Sequence, residues 1–190
     1  HYNLQPLDTG RVYRLIGKLK LENPKKFSYS LIKKKINKLK IIDLQNKSLL
    51  SNNVAVSASI IAKDKKIRNI VFNFQKKCAY NPPKIYRGSV LDGRDIITVQ
   101  VKDAMFKFFI TANIKIRAKR RYEEYKKLKK RISYSEVLKS LKNRDKSDRE
   151  RKHGPLIKTK DSILINTSKL SKKACFLKIK NIIDKKLKIN

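Results

Sequence analysis

The chain has no tryptophan, one methionine, two cysteines, two histidines and only five glycines among its 190 residues. Each scarcity excludes something. His1 and His153 are the only histidines, which rules out a histidine-based zinc site and a His-centred catalytic triad. Cys78 and Cys175 lie far apart in apolar or basic surroundings. They form no metal-ligand spacing and no disulfide framework, as in a reduced compartment. The glycines are Gly10, Gly17, Gly88, Gly93 and Gly154, and none belongs to a G-x-x-x-x-G-K-[ST] loop that would cradle phosphates. The longest uncharged stretch, Ser48 to Ala62, is too short and too polar to span a bilayer. No charged-then-apolar leader is visible at the start. The chain opens on His rather than Met, which reads as a fragment or a processed product.

Acids are scarce as well, with 15 Asp and Glu against 50 Lys and Arg, a formal net charge of +35. Such a charge attracts phosphates, nucleic acid or anionic lipid. The bases are mostly lysines spread evenly among Ile and Asn, the signature of AT-rich coding, so the charge carries little weight for an anionic partner. Hydrophobic residues make up 40% of the chain, enough for a folded core. The length suits one domain with a mobile subdomain.

The centre of the sequence is Asp92-Gly93-Arg94-Asp95, which follows the apolar run Ser89-Val90-Leu91. A buried strand ending at Leu91 would hold this quartet at its carboxyl end, where open α/β sheets bind ligands. Two acids flanking an arginine are either a surface turn with a local ion pair or a polar ligand site.

Around it the patterns alternate. Tyr2–Leu4 reads as a strand, and Thr9 reads as the N-cap of a helix through Val12, Tyr13, Leu15 and Ile16. Arg14 lies about one and a half turns in, within reach of an anion at that N-terminus. Tyr29–Leu39 is a basic amphipathic helix, a solvated face or a membrane or nucleic-acid surface. Ser51-Asn52-Asn53 starts the segment Val54–Ala62, and a helix spans Lys66–Tyr80 with Ile67, Ile70, Val71 and Phe74 on one side. Ser59 and Arg68 sit on consecutive elements that one pocket can join. Ala104–Ile110 and Asp161–Thr167 read as buried strands. A helix over about Ile114–Lys130 carries Arg117, Arg120 and Arg121 on one side, a like-charge cluster that an anion would relieve. The next helix starts at Ser133 or Ser135 and runs to about Lys152. Its far half places Arg144, Asp148 and Arg151 on one face, as a salt-bridged solvated helix or as an arginine lid over phosphates. Ser171 caps a C-terminal helix with Cys175, Ile179 and Ile182 in a stripe. Strands alternating with helices give an α/β fold with a parallel sheet flanked by helices.

The motifs run in a defined order. Asp8-Thr9-Gly10-x-x-Tyr13-Arg14 comes first, then Ser59 and Arg68, then Asp92-Gly93-Arg94-Asp95-x-x-Thr98-Val99. Asp103-Ala104, Arg117-Ala118-x-Arg120-Arg121, Arg144-Asp145-x-x-Asp148-x-x-Arg151 and Pro155-Leu156 follow. From about Leu7 onward this resembles the bacterial cytidylate kinase, or (d)CMP kinase, family. The resemblance implies a P-loop nucleoside monophosphate kinase that moves the γ-phosphoryl of ATP to CMP or dCMP, with Mg²⁺. It implies CMP binding by Thr9, Arg14, Ser59, Arg68, Arg94 and Asp95, with Ser59, Arg68 and Asp95 reading cytosine. Arg144, Asp148 and Arg151 match catalytic lid residues. Arg117 and Arg121 are weaker matches to ATP-binding arginines, and Asp92 to an acid that holds magnesium through water. One domain is implied over residues 1–190, with a CMP-binding helical subdomain at about 20–84 and a lid at about 144–156. The implied protein is a cytoplasmic monomer whose partners are CMP or dCMP and ATP, with no nucleic acid and no membrane.

The departures concern the ATP side. The fold would lack the first strand and P-loop of this class, which predicts that the chain as given is a poor kinase or none. An inactive relic that retains CMP binding is the alternative. Ile97 stands where the family has glycine and Arg11 where it has alanine, and the insert between Lys20 and Asn53 is shorter. A basic nucleic-acid-binding protein is a further reading. Against it, no aromatic RNA-recognition strand or helix-turn-helix is visible, and Asp92, Asp95 and Asp148 would repel a phosphate backbone.

Overall fold

A computed structural model describes residues 1–189. The chain forms two compact units. The first comprises His1–Lys102 together with Arg151–Ile157, and the second comprises Asp103–Glu150 together with residues 158–189. In each unit, short parallel strands are flanked by helices, the α/β class expected from the sequence.

In the first unit, β1 (Leu4–Asp8) pairs in parallel with β2 (Gly88–Asp92). Parallel pairing needs a long crossover, and four helices make it. They are α1 (Thr9–Glu22), α2 (Tyr29–Asn37), α3 (Asn52–Ile61) and α4 (Lys65–Tyr80), with two 3₁₀ turns at Ile41–Gln45 and Lys47–Leu50. β1 starts two residues later than Tyr2 and runs straight into α1. The cap of α1 is Asp8 rather than Thr9. The Asp8 carboxylate accepts from the Arg11 amide at 3.2 Å, and Thr9 is the first helical residue. Both are good capping residues in adjacent positions, and the strand's exit direction decides between them.

The apolar stripe of α4 behaves as the spacing requires. Ile67 and Val71 are 3% and 0% exposed and pack with Val12, Ile16, Ile32 and Ile61 in one core. Burial of each such side chain stabilises by about 1.5–3 kcal/mol. β2 is not the buried strand expected. Its middle residue Val90 is 50% exposed, and only Leu91 packs on the core from one face. After Asp95, residues Ile96–Gln100 form one wide helical turn, in which the Val101 amide donates to the Ile96 carbonyl at 2.8 Å.

In the second unit, β3 (Phe108–Thr111) pairs in parallel with β4 (Ile163–Asn166). Both are shorter than the runs Ala104–Ile110 and Asp161–Thr167 suggested, and of β4 only Ile165 is buried. Hydrophobicity marks these runs, but the ladder exists only where both strands can pair. α5 (Ile114–Lys127) and α6 (Tyr134–Glu150) enclose Ala118, Tyr125 and Val137. A capping box starts α6: the Ser133 hydroxyl accepts from the Glu136 amide at 3.2 Å, and the Glu136 carboxylate accepts from the Ser133 amide at 2.7 Å. α7 (Lys172–Leu187) follows its predicted Ser171 cap, but its Cys175–Ile179–Ile182 stripe is only half-buried. No described helix is long and apolar enough to cross a membrane.

Candidate active site

The site lies at the ends of the first unit's two paired strands. In the ladder, Asp8 of β1 lies opposite Asp92 of β2, so two carboxylates end neighbouring strands. Thr9, buried at the start of α1, donates its hydroxyl to the Asp92 carbonyl at 2.8 Å and pins the two strand ends together. Gly93 permits this. A Cβ there would collide with the Thr9 hydroxyl and sit 2.9 Å from the Ile96 side chain. Arg14 leaves α1 to donate to the Leu49 carbonyl at 2.8 Å, and Arg11 donates to the Leu44 carbonyl at 2.7 Å. Both arginines therefore fasten the 3₁₀ turns to α1.

Beside this lies a cavity of about 310 Å³, with Tyr13, Arg68, Gln75, Asp95 and Gln100 in its wall. Arg68 of α4 and Asp95 form a buried ion pair, with side chains 10% and 5% exposed. The Arg68 guanidinium also donates to the Ala62 carbonyl at 3.2 Å and lies 5.9 Å from the centre of the Tyr13 ring. Gln100 donates to the other oxygen of Asp95 at 3.3 Å. Arg151 approaches that same oxygen at 3.8 Å and donates to the Gly154 carbonyl at 2.6 Å. Burial pushes the Tyr13 phenol up to about 12. Arg68 and Arg151 pull against that shift, and Asp95 adds to it. Lys65, Lys152 and His153 join the wall and, with Arg68, outweigh the single carboxylate, which suits an anionic guest.

The wall also holds unmet polar groups. Gln75 is 1% exposed, and neither end of its amide has a hydrogen-bond partner. The Gln100 carbonyl oxygen is likewise buried and unmatched. A buried group left so costs about 1–3 kcal/mol.

The site residues read from sequence fall into groups. Arg68, Asp95 and Arg151 come together, whereas Thr9 and Asp92 meet at the strand ends, Arg14 reaches the 3₁₀ turn at Leu49, and Arg94 follows Asp92 in the chain. Ser59 is outside the cavity wall: it is exposed, and its hydroxyl donates to the Val56 carbonyl of its own helix at 2.8 Å. α6 ends at Glu150, so Arg151 lies one residue beyond the helix that carries Arg144 and Asp148. In the second unit, Arg144 pairs with Asp148 at 3.7 Å. The expected arginine cluster on α5 is divided among partners. Arg117 makes a two-pronged pair with Asp145 at 2.9 and 2.6 Å, Arg120 donates to the Thr167 carbonyl at 2.7 Å, and Arg121 pairs with Glu124 at 2.7 Å. Arg117 and Arg121 are therefore paired with acids within the protein, while Arg120 is held by neutral oxygens. Gln75, Gln100 and Gly154 were not read from the sequence as site residues. Gln75 left a signal, since it falls four residues after Val71 on the apolar stripe of α4, where a polar side chain is out of place.

Acids at neighbouring strand ends, a helix opening directly from one of them and a basic cavity are consistent with the nucleoside monophosphate kinase class of α/β folds. Comparison with known proteins narrows this. The cytidylate kinase family model matches residues 1–185, and the chain belongs to that family. It is 37% identical to the cytidylate kinase of Bartonella tribocorum over 193 aligned positions, covering 100% of this chain and 87% of that protein. It is 39% identical to the cytidylate kinase of Bartonella henselae, covering 97% and 84%. It is 37% identical to that of Clostridium botulinum, covering 96% and 87%.

Proposed function

We propose that the chain binds CMP or dCMP as acceptor of the γ-phosphoryl group of ATP, giving CDP or dCDP and ADP. The observation that carries this is the buried Arg68–Asp95 pair in the wall of a basic cavity, in a chain of this family. Arg68 and Asp95 take the base; Ser59, which lies outside the cavity wall, would have to turn in from α3 to join them. Thr9, Arg14 and Arg94 take the monophosphate end. Arg144 and Asp148 hold the acceptor sugar and phosphate, and Arg151 steadies the transferring group. Residues at about 20–84 serve as the CMP-binding subdomain and those at about 144–156 as the lid, with Arg117 and Arg121 toward ATP.

Phosphoryl transfer asks little covalent chemistry of a protein. It asks for alignment, charge stabilisation and exclusion of water. Magnesium supplies charge neutralisation on the phosphates when bound. It is held in such sites by one or two carboxylates plus substrate oxygens, and Asp92, with Asp8 opposite it in register, fits that donor set through water. The protein is proposed to act in the cytoplasm as a monomer.

A second reading is a chain that binds CMP without transferring to it. These 190 residues include no G-x-x-x-x-G-K-[ST] loop. Titration calorimetry with CMP, dCMP and AMP, paired with an assay of ADP release, separates the two. Binding with CMP-dependent ADP release supports transfer. Binding without release supports the second reading. No preference for CMP over AMP removes both. In a turning-over enzyme, Asp95→Ala should raise the KM for CMP more than that for ATP, and Arg151→Ala should lower kcat strongly.

A further inference from the structure

Unmet hydrogen-bonding capacity in the cavity wall is concentrated in amides. Arg68 and Asp95 satisfy one another, and Gln100 donates to Asp95. Gln75 is different: it is fully buried, it lines the cavity, and both its Nε2 and its Oε1 lack a partner. Its neighbours on the stripe, Ile67 and Val71, are apolar, and an apolar side chain would fill the same place without penalty.

A primary amide presents a donor and an acceptor side by side. That pair matches two adjacent atoms on the edge of a pyrimidine. Cytosine offers an acceptor ring nitrogen beside an amino donor, and uracil offers a ring N–H beside a carbonyl acceptor. A half-turn of the amide exchanges its two ends, which differ little in shape. We propose that Gln75 is a base-reading residue which grips the polar edge of either pyrimidine, so that discrimination between cytosine and uracil falls to the fixed acceptor Asp95. This rests on the reading of the cavity as a CMP site.

The test is calorimetric titration with CMP, UMP and ribose 5-phosphate of the wild-type protein, Gln75→Met and Gln75→Glu, with the Tm of each. Gln75→Met should weaken CMP and UMP alike by tenfold or more, leave ribose 5-phosphate unchanged, and keep or raise the Tm. Gln75→Glu, an acceptor only when ionised, keeps one hydrogen bond to either base and sets its second oxygen against the other acceptor, so it should weaken CMP and UMP alike by tenfold or more and leave their ratio unchanged. Unchanged CMP and UMP affinities in Gln75→Met overturn the proposal while leaving the CMP site standing. An equal loss of ribose 5-phosphate binding also overturns it, because the role would then be structural. If Gln75→Met does not fold, Gln75→Glu decides alone, and unchanged CMP and UMP affinities, or an equal loss for ribose 5-phosphate, overturn the proposal. A wild-type protein that binds ribose 5-phosphate but gains nothing from the base, or that binds none of the three, overturns both readings.

Discussion

Gly154 rests directly on the Arg68–Asp95 ion pair, at a backbone φ of +60°. A Cβ at this position would sit 2.5 Å from the Asp95 carboxylate and would collide with the Arg68 guanidinium. The turn after α6 is thus shaped to the pair beneath it. Gly154→Ala should therefore lose more than about 1 kcal/mol, from the left-handed backbone alone. It should also weaken CMP binding, since the pair must shift to admit the methyl group. Urea unfolding and CMP titration check this. A variant with wild-type stability and affinity would mean that the turn is loose.

Arg68 and Asp95 are more than nine-tenths and about nine-tenths buried at the side chain, in reverse order. Removing one leaves the other charged and unpaired. Arg68→Met and Asp95→Leu should each destabilise by about 3–5 kcal/mol, and the double variant by clearly less than their sum. Additive losses in denaturant titrations would show that the two groups act separately.

Tyr13 gives the fold an alkaline limit. Its phenol is held neutral up to about 12 against an ordinary value of 10.0, chiefly by burial. A raised folded value means stability is fully present below pH 10 and declines as the pH rises from 10 toward 12, where the unfolded chain has already lost the proton. Tyr13→Phe should flatten that part of the stability curve relative to wild type. An identical decline in both proteins would assign it to other groups.

Glu136 gives α6 an acid limit. Hydrogen bonds from the Ser133 side chain and backbone hold its carboxyl below the ordinary 4.5. A depressed folded value means the contribution is present above pH 4.5 and is lost as the pH falls through the lower folded value. Glu136→Gln should remove this acid dependence. Amide exchange in the first turn of α6 should report the change, and the same pH dependence in both proteins would dismiss the carboxylate's part in the capping box.

Helices were the legible part of this chain. Ile67 and Val71 marked α4 and Ser171 marked the start of α7, because caps and stripes are local in sequence. Strands were less legible. Phe106 and Phe108 belong to one apolar run, yet only Phe108 has a partner in the ladder, and the partner is Ile163. The site was half legible. Charged residues in motifs could be named, but whether a charge meets a ligand or another side chain depends on neighbours distant in sequence. Arg117 and Asp145, on different helices, make that point. Gln75 and Gln100 carry no charge and no motif. A place on the apolar stripe of α4 hints at Gln75, and only burial distinguishes Gln100 from a surface glutamine.

The cavity wall is drawn from Tyr13 through Gln100 and then from Lys152, His153 and Gly154. On a translating ribosome these last three emerge well after the rest, by an interval on the order of several seconds at ordinary elongation rates. Until then Arg68 and Asp95 have no covering turn, and the nascent first unit presents an open, water-filled notch. The pocket is therefore among the last parts of the first unit to close, and a chain stalled before residue 151 would expose the notch to chaperones and proteases.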